Sequence, residues 1–307
     1  MTNTFTPPAP LQTAVLFLVF NRPETTAHVF DAIRKAQPPR LYIAADGPRA
    51  DRAGEAEKVA KVREIATAVN WPCEVKTLFR EENLGCKYAV SGGITWFFEH
   101  EEQGIILEDD CLPSQSFFWF CELMLSRYRD DFVVMHVGGH KPDNISPDKF
   151  SISFTRATHV WGWATWANRW KKYSVEPSID SNKLSSLVEF EYFKNAQATK
   201  KRVNVLKDLF SGKIDTWDYQ WNYCVRVNSG LGIRPCKNLV ENIGHAHESA
   251  THTADKQNKN AALDIDLKNF IYPFWILPNQ KMESQFEAML YNSFWRRVLR
   301  KLLRSSR

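Results

Sequence analysis

The chain has 307 residues, 44% hydrophobic and 24% charged, an ordinary globular balance that excludes a disordered or collagen-like chain and suffices for one large α/β domain or two modest ones. Six Lys/Arg and no acid fall in 291–307, which takes the net charge of the remainder from +5 to −1; a neutral body with one basic end is not the footprint of a nucleic-acid binder. The six Cys form no CxxC pair, so they are expected to be reduced thiols rather than a zinc knuckle or a disulfide framework.

In chain order, residues 1–12, with three Pro, read as a frayed leader. The apolar run 14–20 is too short to span a bilayer and lacks signal-peptide features, so a cytoplasmic address is expected. It reads instead as the first of four short strands, 14–20, 41–45, 74–79 and 104–107. Helical segments at 23–35, 55–69 and 86–100 alternate with them, the first with Asn21 as N-cap and Pro23 in its first turn. This alternation implies right-handed crossovers and a mainly parallel, Rossmann-like sheet flanked by helices. Ligands of such sheets sit beyond the carboxyl ends of the strands. Polar residues follow each strand there: Asn21 and Arg22, then Asp46, then 80–83, then Glu108, Asp109 and Asp110. Beyond Cys111 the pattern is less regular. It gives a helix at 116–127, a strand at 132–137, a Trp-rich turn at 161–170 and a helical stretch at 185–210. The expected organisation is a leader (1–12), a first lobe that binds a nucleotide (13–112), an irregular acceptor and catalytic lobe (113–275) and a basic amphipathic tail (276–307).

Glu108, Asp109 and Asp110 follow an apolar strand that would hold them rigidly. Adjacent carboxylates repel unless a cation is present, and Mg²⁺ or Mn²⁺ accepts carboxylate and diphosphate oxygens in one shell. The bland alternative is a solvated acidic turn before the next helix.

The runs Val19-Phe20-Asn21-Arg22-Pro23, Asp46-Gly47, Asn83-Leu84-Gly85-Cys86-Lys87 and Ile106-Leu107-Glu108-Asp109-Asp110 resemble the nucleotide-sugar lobe of GT-A-fold glycosyltransferases. They are most similar to the EDD-motif group that includes N-acetylglucosaminyltransferase I and bacterial polysaccharide glycosyltransferases. The resemblance implies a UDP-sugar donor, with UDP-GlcNAc one candidate, and Mn²⁺ or Mg²⁺ on Asp110. It also implies Arg22 at the diphosphate, Asp46 and Lys87 facing the nucleotide, and Glu108 and Asp109 at the ribose or sugar.

The segment Asp215-Thr216-Trp217-Asp218-Tyr219-Gln220-Trp221 reads as a helix start, with Asp215 as N-cap and Asp218 one turn on. An acid at a Trp-Asp step fills the base role in the resembled group, which makes Asp218 the candidate general base of an inverting transfer. Trp161-Gly162-Trp163 passes from strand-like to helical spacing. Most of it reads as core, but the group's Gly-Trp step lies beside bound sugars, so Trp161 and Trp163, with Trp217, are candidate sugar-stacking residues. His245, His247 and His252 share a polar loop that fits no zinc spacing. By the resemblance His252 belongs to a segment that closes over the donor.

Finally, apolar pairs recur every four residues over 294–303 with Lys/Arg between them, the pattern of an amphipathic basic helix suited to an anionic leaflet. The expected acceptor is a saccharide or glycolipid hydroxyl, met at the inner face of the cell membrane, with no nucleic-acid partner. Two competing readings are a sugar-phosphate nucleotidyltransferase, which would want a Gly-rich phosphate loop that Asn21-Arg22-Pro23-Glu24 does not supply, and a noncatalytic carbohydrate-binding protein, which has no need of the acidic triplet.

Overall fold

A computed structural model describes residues 5–142, 149–177, 196–244 and 261–285. Ten strands are described: β1 (Val15–Val19), β2 (Arg40–Ala45), β3 (Glu74–Phe79), β4 (Gln103–Glu108), β5 (Cys111–Pro113), β6 (Val134–Gly138), β7 (Ile152–Thr155), β8 (Trp163–Trp166), β9 (Leu231–Pro235) and β10 (Val240–Asn242). The helices are α1 (Pro23–Ala36), α2 (Glu55–Thr67), α3 (Gly85–Phe98), α4 (Gln115–Arg127), the single turn α5 (Ala167–Trp170), α6 (Ala196–Phe210) and α7 (Asp218–Val227). Eight strands form one sheet in the order β3-β2-β1-β4-β8-β6-β9-β7, and β10 pairs with β5 in a small second one. β3, β2, β1 and β4 run parallel, β8 is antiparallel to both β4 and β6, and β9 is parallel to β6. The architecture is therefore the expected mixed α/β, Rossmann-like sheet, and it runs unbroken past the boundary expected at 112.

Alternation along β1 explains the layering. Val15, Phe17 and Val19 join a core with α1, α2 and α4, including Phe30, Val62 and Phe117. Leu16 and Leu18 join the opposite core with Ile94 and Phe97 of α3, Trp170 of α5 and Trp221 of α7. Successive side chains of a strand point to opposite faces, so an all-buried strand requires helices on both. The outer strand β3 is the least buried of the parallel set. Its Glu and Lys suit a sheet edge.

Several expectations are corrected. The leader is docked, not frayed, over residues 5–12: Leu11 is buried, Phe5 packs on Trp119, and the Trp119 indole donates to the Ala9 carbonyl. Asn21 does not cap α1. Arg22 occupies that position without a side-chain cap, and Pro23 opens the first turn as expected. α7 starts at Asp218 with Trp217 before it, so Asp215 lies outside the helix and the two acids do not share a helical face. β5, β7, β9 and β10 are strands where none was expected. The 294–303 amphipathic pattern and most of 185–195 lie outside the described residues. No described helix is long and apolar enough to cross a membrane.

Candidate functional site

Two neighbouring parallel strands build the centre. Glu108 ends β4 opposite Leu18 of β1, so the two residues after each strand emerge side by side. Arg22, just beyond β1, places its guanidinium 2.7 Å from Asp110 Oδ2 and 3.6 Å from Asp109 Oδ1. The Phe20 amide donates to Asp109 Oδ2 at 3.1 Å. All three side chains are largely withdrawn from solvent, at 16%, 10% and 16% exposed for Arg22, Asp109 and Asp110. One guanidinium thus faces three consecutive carboxylates.

The electrostatics follow from that imbalance. Burial, then the charges of Asp110, Asp109 and Asp218, push the Glu108 carboxyl well above the carboxylate range. Burial and Asp110 push Asp109 up to about 7, with Arg22 and the Phe20 amide opposing. Asp218 is therefore an electrostatic neighbour of Glu108 although 110 residues separate them in sequence. It opens α7, where the positive helix end favours an anion, and its Oδ1 accepts a hydrogen bond from the Thr216 hydroxyl. Asp215 sits at the other wall, its Oδ2 3.9 Å from where a Cβ on Gly85, at the start of α3, would lie.

Gly244 closes the site from the far side. The Ile243 amide donates to the Asp110 carbonyl at 2.8 Å, and a Cβ on Gly244 would stand 2.4 Å from Asp110 Oδ2 and 2.9 Å from Asp110 Cβ. Only glycine fits here. Gly244→Ala is expected to push the Asp110 carboxylate away from Arg22 and to cost about 1–3 kcal/mol of stability through overpacking, which urea unfolding would register.

Asp46 and Lys87 are both engaged within the chain. Asp46 is buried and accepts from the Gly47, Leu84 and Gly85 amides and from Asn83 Nδ2, all at 3.0–3.1 Å. Its carboxylate fixes the turn that starts α3. Lys87 is buried, with Nζ 2.5 Å from Glu176 Oε1, and the Tyr88 hydroxyl donates to the same oxygen at 2.7 Å. It ties α3 to Glu176.

The tryptophans divide. Trp163 is 0% and Trp217 2% exposed. They stack on each other at 5.8 Å, and Trp163 also stacks on His136 at 5.1 Å. Indoles whose faces are already covered offer nothing to a sugar, so both are corrected from stacking platforms to the floor beneath Asp218. Trp161 is different. It is only partly buried, packs on the core that holds α1, α2 and α4, and meets His140 edge-on at 4.6 Å. Burial, then the Arg234 charge, push His140 down to about 4, so that imidazole is neutral at physiological pH. His245, His247 and His252 lie outside the described residues.

Sequence reasoning missed Glu55, Gly244 and Thr216. Glu55, at the start of α2, is 5% exposed and accepts from Asn21 Nδ2 at 2.8 Å and from the Arg49 amide at 2.7 Å, besides pairing with the Arg49 guanidinium. It thereby ties the loop after β2 to the end of β1. Its readable signal was an acid in a helix's first turn directly after a glycine. Burial opposes ionisation of Glu55, but the Arg49 and Asn21 hydrogen bonds outweigh it and hold the carboxyl down at about 2, from an ordinary 4.5. A depressed carboxyl contributes stability that is complete above pH 4.5 and lost as the pH falls toward 2. Glu55→Gln should cost about 2 kcal/mol at neutral pH and flatten that acid limb, as urea unfolding at a series of pH values would register.

A divalent cation fits the donor chemistry of this edge. The oxygens of Glu108, Asp109 and Asp110 are hard ligands, and a cation would relieve the mutual repulsion that raises the first two carboxyls. Among the described residues no three His, Cys, Asp or Glu side chains form a complete metal cage, so a bound cation would need oxygens from a ligand as well.

No family model matches the chain, and no curated protein does either. Similar solved structures include an apo UDP-glucose pyrophosphorylase (7% identity, 76% of this chain and 94% of that one, TM-score 0.41). Others are HddC from Yersinia pseudotuberculosis (8%, 53% and 80%, 0.32) and the glycosyltransferase GlyE of Streptococcus pneumoniae TIGR4 (13%, 69% and 47%, 0.28). At such identities and scores the chemistry has to be read from this chain's own residues.

Proposed function

We propose that the chain is a divalent-cation-dependent, inverting glycosyltransferase that moves a sugar from a nucleoside-diphosphate donor, a UDP-sugar in the first instance, to a saccharide or glycolipid hydroxyl. One observation carries the reading. Arg22 gathers Asp109 and Asp110 at the carboxyl ends of β1 and β4, and Asp218 arrives from the second half of the chain close enough for its charge to act on Glu108. Direct displacement needs a diphosphate-binding cation site and a base on opposite sides of one anomeric carbon, and this edge has both residue types.

In this reading Asp110, with Glu108 or Asp109, holds Mn²⁺ or Mg²⁺, which when bound supplies positive charge to the departing diphosphate. Arg22 orients the carboxylates and reaches the diphosphate. Asp46 and Asn83 keep the start of α3 in place. Asp218 accepts the proton of the attacking hydroxyl, its second oxygen steadied by Thr216, while Trp217 and Trp221 fix the helix that carries it. The half-buried Trp161 is the indole left to stack on the sugar.

A panel of UDP-, GDP- and dTDP-sugars tests the assignment by thermal stabilisation with and without Mn²⁺, followed by diphosphate release and NMR of the product's anomeric centre. Cation-dependent stabilisation by a sugar nucleotide and an inverted product are expected. Stabilisation by a nucleoside triphosphate with pyrophosphate formed from a sugar 1-phosphate would instead select nucleotidyl transfer.

A further inference from the structure

Residues 271–279 form a strap along the sheet's edge strand, β7. At one end the Ser151 amide donates to the Ile271 carbonyl at 2.7 Å and the Ile271 amide to Ser151 Oγ at 2.9 Å. At the other, Pro278 bridges to Phe154 and the Asn279 amide donates to the Phe154 carbonyl at 2.9 Å. The anchors lie about 10 Å apart along the strand, whereas the intervening strap could reach roughly 23 Å. The excess chain bulges outward, and its side chains sort by side. Tyr272 and Ile276 turn inward to the core, Tyr272 beneath Arg127 at 3.9 Å. Phe274, Trp275 and Leu277 point away from it, 81%, 72% and 65% exposed.

Three such side chains together on one short bulge are more than the scattered apolar residues of an ordinary surface. They are bordered by cations. Lys149 lies 5.0 Å over Phe150, which meets Phe274 at 6.2 Å, and exposed Lys268, beside exposed Asp266, and Lys281 flank the strap in sequence. The sequence that follows carries the six Lys/Arg and no acid of 291–307. Glu283, the nearest acid on the strap's C-terminal side, is engaged by the Thr155 hydroxyl and the Arg156 amide.

We infer that Phe274, Trp275 and Leu277 form a wedge that inserts into the interface of an anionic lipid bilayer. Aromatic and aliphatic tips flanked by lysines match the boundary between acyl chains and acidic headgroups. A second copy of the chain fits less well: the tips expose on the order of 400 Å², about half of what each partner of a stable dimer buries. The strap lies one spacing beyond β7, which is itself four strand spacings from β4, in all roughly 24 Å, so a docked bilayer need not cover the acidic edge. This inference does not depend on the transfer reaction.

The test uses the full chain, sedimented with vesicles of phosphatidylcholine alone or mixed with phosphatidylglycerol. Pelleting with the mixed vesicles is expected, and the triple variant Phe274→Ser/Trp275→Ser/Leu277→Ser should lose about tenfold or more in partitioning. In a second measurement, lipids brominated on the acyl chains should quench part of the wild-type fluorescence, and Trp275→Phe should abolish that part. The wedge is refuted if the triple variant pellets like wild type, or if only removal of 286–307 abolishes pelleting. Unchanged quenching in Trp275→Phe refutes it too, as does a lipid-free dimer that the triple variant dissolves.

Discussion

Asp218→Asn is expected to lower turnover about 10²- to 10⁴-fold, the range for loss of a positioned base, while leaving donor binding and folding intact. The amide keeps an oxygen for the Thr216 hydroxyl and leaves the indole floor of Trp163, Trp217 and Trp221 untouched. What it removes is a group able to take a proton. Kinetics at saturating donor should therefore show the loss in kcat, with KM for the donor little changed. A variant that turns over like wild type would take the base role away from Asp218.

Arg22→Met should have the largest effect on stability. The guanidinium is the cation between Asp109 and Asp110, and both carboxylates are largely buried. Breaking such a pair by removing one partner typically costs about 3–5 kcal/mol, because the remaining charges stay unneutralised. Mn²⁺ offers a second way to neutralise them. Its addition should raise the melting temperature of Arg22→Met more than that of wild type, whereas a variant as stable as wild type would mean that the carboxylates are not held under repulsion.

The parallel half of the fold was legible because each strand and helix there carries its own local pattern. The buried runs of β1, β2 and β4, the Pro at the start of α1 and the polar residue after each strand need only neighbouring residues to be recognised. β7 and β9 were not legible for the opposite reason. Ser153 and Arg234 are buried members of these strands, and their polarity hides the strand pattern. β8 is four residues long and runs straight into α5, so its mixed spacing was visible but not its place between β4 and β6.

At the site, proximity imposed by the topology was legible and the engagement of individual side chains was not. That Arg22 meets the acidic triplet follows from β1 and β4 being neighbours. That Asp46 is consumed by three amides and an asparagine depends on the path of the 83–85 turn, which no spacing in the sequence reveals. Trp163 and Trp217 misled because an indole in a Gly-Trp or Trp-Asp step looks alike whether its face is covered or open. Burial decides between core and platform, and burial is a property of the assembled sheet.

The central claim is that Asp110 serves a cation shared with a diphosphate. Calorimetric titration of UDP into the chain, with and without Mn²⁺, compares wild type and Asp110→Ala most directly. Mn²⁺ should tighten UDP binding to wild type by at least about tenfold, roughly 1.4 kcal/mol, and leave Asp110→Ala unaffected. Equal Mn²⁺-dependent tightening in both proteins would contradict the account.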